Sequence, residues 1–181
     1  LTEKLRDGHA TTLGAASGAV AGLVAITPAC GFVSPMGSIA IGFVAGVVCA
    51  LATVLKNIFK FDDALDVVGV HLVGGVIGAL LIGLFATKMT NSAGSNGLLY
   101  GGGWTLLGHQ TIAVGAVVLY SFIVTYVLAF VLEKTIGLRV SDEDELKGLD
   151  LTQHAETAYE SAAYSDGARF TSAFTSKEGR E

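Results

Sequence analysis

Four apolar runs restrict the fold more than any other feature of this chain. Residues 12–33, 37–55, 65–87 and 111–132 are each apolar over roughly the 20 residues that a helix needs to cross a bilayer. They predict an all-α integral membrane protein with four transmembrane helices. Composition supports that class. Only 15% of the residues are charged, against about 25% in soluble domains. More than half of the charges lie after Leu132, so the polar character belongs to a tail. The expected organisation is a polar leader at 1–11, four spans, a loop at 88–110, a tail at 133–160 and a disordered end at 161–181. Lys and Arg set the orientation, because they favour the cytoplasmic side. Lys4 and Arg6, Lys56 and Lys60, and Lys134 and Arg139 fall on one side, and Lys88 alone on the other. Both ends are therefore expected in the cytoplasm of a multi-pass cell-membrane protein, with 88–110 outside. The chain opens on Leu1 and is expected to be part of a longer protein.

Glycine and alanine recur at four-residue spacing: Gly14, Gly18 and Gly22; Gly42, Gly46 and Ala50; Gly74 and Gly78. In lipid such stripes let helix backbones approach closely, so these three are expected to make the bundle contacts. Pro28 lacks an N–H and crowds the preceding turn, so it should disturb the end of the first span. Cys30 and Cys49 sit inside apolar runs without metal-ligand spacing, and both read as packing residues.

The third run carries the chemistry. In "FDDALDVVGVHLVGGVIGALLIGLF", residues 61–85, three aspartates precede about twenty residues with one ionisable group, His71. Asp63 and Asp66 are expected at a helix N-terminus, where carboxylates accept from free N–H groups and suit the dipole. His71 differs, because ionisable groups inside a membrane mark functional sites. A helical period places it on one face with Asp63, Val67, Gly74 or Gly75, and Gly78, the face expected to pack. Low dielectric favours a neutral imidazole, which offers one donor and one acceptor to a small polar solute. The bland alternative is a histidine bonded to a neighbouring helix. His9 and His154 lie in polar segments, and His109 opens the fourth run at the interface. No Ser-His-Asp order, P-loop, HExxH or GxGxxG context supports an enzyme, and no cofactor or metal is expected. No basic patch with interleaved aromatics suggests nucleic acid.

The stretch "FDDALDVVGVHLVGG", preceded by "TTLGAASGAVAGLVAITPACGFV" and followed by "GHQ" and "GLRVSDEDELKGLDLTQHAETAY", resembles the ammonium transporter family (Amt/Mep/Rh), of bacterial Amt type. The likeness runs from about Thr12 to Tyr159, with several motifs in order. It implies that the chain corresponds to helices 8–11 of an eleven-helix fold plus the cytoplasmic tail. It implies transport of ammonium or ammonia, and of methylammonium, for nitrogen uptake through a pore in each subunit of a homotrimer. His71 matches the second of two facing pore histidines, and Val67 and Val20 match positions lining the same apolar channel. The first histidine and the outer vestibule belong to helices that precede these in the family. Two alternatives stay open: an ammonium sensor with the same fold, and a membrane scaffold without transport.

In the tail, Ser141 with Asp144 fits a capping box and Gly148 a helix stop, predicting a helix over 142–147 and another within 150–159. The resemblance implies that Gly137, Leu138, Arg139, Gly148, Leu149, Asp150, His154 and Tyr159 pack beneath the pore, touch the neighbouring subunit and couple to a PII-type signal protein.

Overall fold

The computed structural model describes residues 1–156. Tyr159 and the tract 161–181 lie outside the described residues. The helices are α1 (Thr2–Asp7), α2 (Thr12–Ile26), α3 (Pro35–Ala52), α4 (Leu55–Phe59), α5 (Val73–Phe85), α6 (Thr105–Thr135), α7 (Asp142–Lys147) and α8 (Leu149–Thr152). A π turn, Val67–Leu72, leads directly into α5, and a 3₁₀ turn covers Leu98–Tyr100. Among the described residues there is no strand, only an isolated antiparallel bridge between Val33 and Ala86. The chain forms two compact units, Leu1–Ile123 and Val124 onward.

Three segments are long and apolar enough to cross a membrane: Pro35–Phe59, Val67–Phe85 and Thr105–Thr135. The first apolar run gives a shorter helix. α2 has 15 residues, about 22 Å at 1.5 Å per residue. Thr11 caps its start, accepting from Gly14 N–H at 2.9 Å. Its end falls at Ile26, two residues before Pro28, and short turns carry the chain to Val33. A residue before proline is pushed out of the helical region, yet Thr27 keeps helical angles and the stop comes with the turn around Pro28. α3 restarts with Ser34 accepting from Gly37 N–H at 3.2 Å and Pro35 in the first turn, where its missing N–H leaves nothing unsatisfied. α6 begins at Thr105, six residues ahead of the expected fourth span. The chain turns at Gly101 and Gly103, both with positive φ, and TLLGHQ joins the helix.

The core of the first unit consists of three stripes at four-residue spacing. α2 and the turns after it bury Ala21, Ala25, Ala29 and Val33; α3 buries Gly37, Ile41, Ala45 and Cys49. The third stripe is Val70, Gly74, Gly78, Ile82 and Ala86. Small residues make these contacts close. A Cβ on Gly78 would strike the Ala25 carbonyl, and one on Gly74 would sit 3.3 Å from both Cys49 Sγ and Val24 Cγ1. Within this chain the expected glycine faces of α2 and α3 are not the ones that make the contacts. A Cβ on Gly18, Gly22, Gly42 or Gly46 would meet nothing within 4 Å, and one on Gly14 would meet only Glu3. Four-residue spacing marks where a helix can be approached, but two such stripes coexist on α2 and α3, and the sequence does not rank them.

At one end of the bundle the backbone is tied across elements. Thr87 N–H donates to Phe32 O at 2.8 Å, and Gly97 N–H to Ala86 O at 2.8 Å. Asn96 Oδ1 accepts from Lys88 N–H at 2.8 Å. At the other end α1 crosses the bundle: Arg6 donates to Ala50 O at 2.9 Å, near the end of α3. Glu3 accepts from Thr11 N–H and hydroxyl at 3.0 and 2.7 Å.

In the second unit, Ser141 Oγ accepts from Asp144 N–H at 3.1 Å and starts α7, while Gly148, with φ 97°, ends it. These match the cap and stop expected from SDEDELKG. The next helix, α8, begins at Leu149 and is only four residues long.

Candidate functional site: the histidine groove

His71 is set in place by the loop before it. After α4 the chain reverses through Lys60 and Asp66, both non-glycine residues in the left-handed region (φ 56° and 55°). Between them Asp63 turns its carboxylate onto the next helix. Its two oxygens accept from Val67 N–H at 2.7 Å and Val68 N–H at 2.9 Å. These are two of the orphan donors that begin any helix. Asp66 occupies the N-cap position but makes no side-chain cap. Its carboxylate instead pairs with Lys56 Nζ at 2.7 Å. The dipole-facing role expected of both aspartates is thus carried geometrically by Asp63, because the left-handed backbone at Asp66 turns its side chain toward α4.

The π turn follows. Its backbone bonds span five residues, as in Val73 N–H to Val68 O, so it holds one residue more than an α turn. Such insertions in helices frequently accompany functional sites. Gly69 and Val70 face inward. A Cβ on Gly69 would lie 2.9 Å from the Thr53 backbone, and Val70 joins Ala21 and Cys49 in a buried cluster. The next residue, His71, is exposed.

Of the two glycines that helical spacing left open beside His71, the structure therefore takes Gly75, and the packed face of Gly74 and Gly78 excludes the histidine. It stands on the adjoining stripe with Gly75 and Ala79. Together with Leu72 and Val76 they form one wall of a groove of about 330 Å³. The other wall is α6, with Gln110, Ala113, Val114, Val117 and Val118. His71 and Gln110 are the polar side chains of an otherwise aliphatic surface. Among the described residues His71 has no hydrogen-bond partner, so both ring nitrogens are free to meet a solute or another part of the protein. Sequence reasoning passed over Gln110. The signal was its place in GHQ, read as an interfacial start rather than as the second turn of α6.

The other expected positions are not gathered here. Val67 and Val20 are exposed, at 50% and 40%, but neither lines the groove. In the second unit, Gly137 has φ 77° just after α6, and Arg139 pairs with Glu145 at 3.6 Å. Leu138 N–H donates to Glu133 at 3.0 Å, and Gly148, Leu149 and Asp150 form the α7–α8 junction. His154 N–H donates to Leu149 O at 3.2 Å. Among the described residues no group of three or more His, Cys, Asp or Glu is arranged to hold a metal.

The profile of the Ammonium Transporter Family matches residues 1–159. An ammonium transporter of Mycobacterium tuberculosis (strain ATCC 25618 / H37Rv) is 54% identical over 170 residues, which are 91% of this chain and 36% of that protein. An ammonium transporter of Bacillus subtilis (strain 168) is 48% identical over 161 residues, 88% of this chain and 40% of that one. The crystal structure of Saccharomyces cerevisiae Mep2 superposes with a TM-score of 0.72 at 34% identity, covering 78% of this chain and 33% of that one. The chain thus spans between a third and two fifths of the length of these relatives.

Proposed function

The chain belongs to the ammonium transporter family, and we propose that it forms part of a pore conducting ammonium or ammonia, and methylammonium, across the cell membrane. His71 is the residue on which the reading rests. The observation that carries it is an imidazole set with Gln110 in an otherwise aliphatic groove between α5 and α6. Ionisable groups inside a membrane are costly and mark functional positions. In this reading His71 faces a second histidine supplied by the rest of the protein, and Val67 and Val20 line the same channel.

The physical logic is one of charge. Charged side chains cost about 2.5–3.5 kcal/mol at the centre of a membrane helix on insertion scales. A lane with aliphatic walls therefore favours ammonia over ammonium. Ammonium can enter by giving up a proton, whereas potassium has none to give. The imidazole accepts from, or donates to, the passing solute, compensating for the water it leaves behind.

The wider arrangement follows the same reading. Four spans, α2 included, cross the membrane, with residues 88–110 outside and both ends in the cytoplasm. Three copies of the full-length protein assemble, and the tail from Gly137 to Tyr159 contacts a neighbouring subunit and a PII-type signal protein. The full-length protein reconstituted in liposomes tests the function. Uptake of labelled methylammonium down its gradient supports transport; saturable binding without uptake would make it a sensor.

A further inference from the structure

His71 is aimed by a turn whose starting point is held by one cation. Lys56 Nζ lies 2.7 Å from Asp66 Oδ1 and donates to Asp63 O at 3.2 Å. Both side chains of the ion pair are largely enclosed, at 29% and 27% exposure. The two residues that Lys56 holds are the two that begin the helix. Asp63 caps Val67 and Val68, and Asp66 O receives Val70 N–H at 2.8 Å. These bonds decide which N–H groups come first, and hence the register of the π turn.

Register matters here because neighbouring residues have opposite fates. Val70 is buried against Ala21 and Cys49, while His71 lines the groove. A slip of one residue rotates each side chain by about 100° around the helix axis. That rotation, in the sense that carries the imidazole into the buried place of Val70, would put Leu72 where the histidine stands at the groove. Asp63 alone does not prevent it, since a loop with two left-handed residues can settle one residue along. Lys56 fixes that loop from a different helix, α4.

We propose that Lys56 is a positioning residue for His71: by clamping Asp63 and Asp66 it fixes the π-turn register that presents the imidazole to the groove. The proposal rests on the reading of His71 as a pore residue. A purely structural ion pair predicts a different pattern, in which substitutions change how much protein folds but not what each folded molecule does.

The test uses the full-length protein in membranes, with Lys56→Met, Lys56→Arg, Asp66→Asn and His71→Ala, since Lys56 holds the Asp66 carboxylate and only the backbone carbonyl of Asp63. Methylammonium uptake is measured per assembled molecule, together with its half-saturating concentration. For Lys56→Met the expected result is a fall in maximal uptake of about tenfold or more, toward the roughly hundredfold that a 1 Å misplacement of a positioned group can cost, with half-saturation little changed. Lys56→Arg, which keeps both contacts available, recovers most of the loss, and Asp66→Asn, which removes the charge from the ion pair, lies between. Should Lys56→Met fail to assemble, Asp66→Asn decides alone. Uptake per molecule within about twofold of the parent in both Lys56→Met and Asp66→Asn, or in whichever of the two assembles, overturns the proposal. His71→Ala separates the two levels. If it abolishes uptake while Lys56→Met does not, only the positioning role fails; if His71→Ala leaves uptake intact, the pore reading fails first.

Discussion

His71 and Gly74 are less than one helical turn apart in sequence, yet they belong to different surfaces. Gly74 is buried where an added methyl would lie 3.3 Å from Cys49 Sγ and from Val24, while His71 is exposed in the groove facing α6. The packed stripe and the solute-facing stripe run side by side along α5. A rigid floor thus lies next to the residue that the proposed function needs held still.

That floor predicts a packing cost. Gly78→Ala places a methyl on the Ala25 carbonyl, where the nearest atoms are backbone and cannot swing aside. Overpacking of this kind costs about 1–3 kcal/mol, more than the roughly 0.5–1 kcal/mol that alanine regains from helix propensity. The full-length protein carrying Gly78→Ala is expected to unfold at lower temperature in detergent or lipid. Equal or higher stability would show that α2 and α5 do not meet as closely as this.

The cap at Asp63 makes a local prediction. Asp63→Ala leaves Val67 and Val68 N–H without their acceptor, a loss of about 1 kcal/mol for a typical helix cap. Hydrogen exchange at those two amides is expected to speed up, with the amides of α3 unaffected.

The leader gives a pH dependence of definite sign. Glu3 is held below the ordinary carboxylate range, first by the Thr11 backbone N–H and then by the Thr11 hydroxyl. A depressed carboxyl contributes stability above its unfolded value and loses it as the pH falls through the folded one. The contact should therefore be intact at neutral pH and released only in acid, below the usual glutamate range. Protection of the Thr11 amide against pH reads this directly, and Glu3→Gln should flatten the profile.

In the second unit, Ser141→Ala removes the side chain that starts α7. A cost of about 1 kcal/mol in so short a helix is expected to leave it largely frayed. The amide of Asp144 should lose its protection, while Ser141→Asp restores it.

Some of this was legible in the sequence, and the reasons differ by element. Apolar length is a one-dimensional property, so the membrane-length helices could be read from run length alone. Caps are equally local: Ser141 and Gly148 bound α7 because their chemistry acts within three residues. The stop of α2 is also local, set by Pro28. Which stripe of small residues is buried is not local. Gly18 and Gly22 were as plausible as Ala21 and Ala25, and the choice depends on where α5 lies against α2. The face of His71 was only half legible, with Gly74 and Gly75 both open beside it, for a sharper reason. Spacing arguments assume 3.6 residues per turn, and the π turn at Val67–Leu72 breaks that assumption next to the residue in question. Gln110 went unnoticed because the start of α6 was placed after it.

The most direct measurement is uptake and ion selectivity of the full-length protein with His71 replaced by alanine, by glutamate and by glutamine, each normalised to assembled protein. If His71 faces the passing solute, alanine abolishes methylammonium uptake or lets potassium through. Glutamate, which carries charge into the lane, changes the ratio of the two ions, and glutamine preserves more discrimination than either. Unchanged uptake and unchanged exclusion of potassium in all three variants would contradict the account.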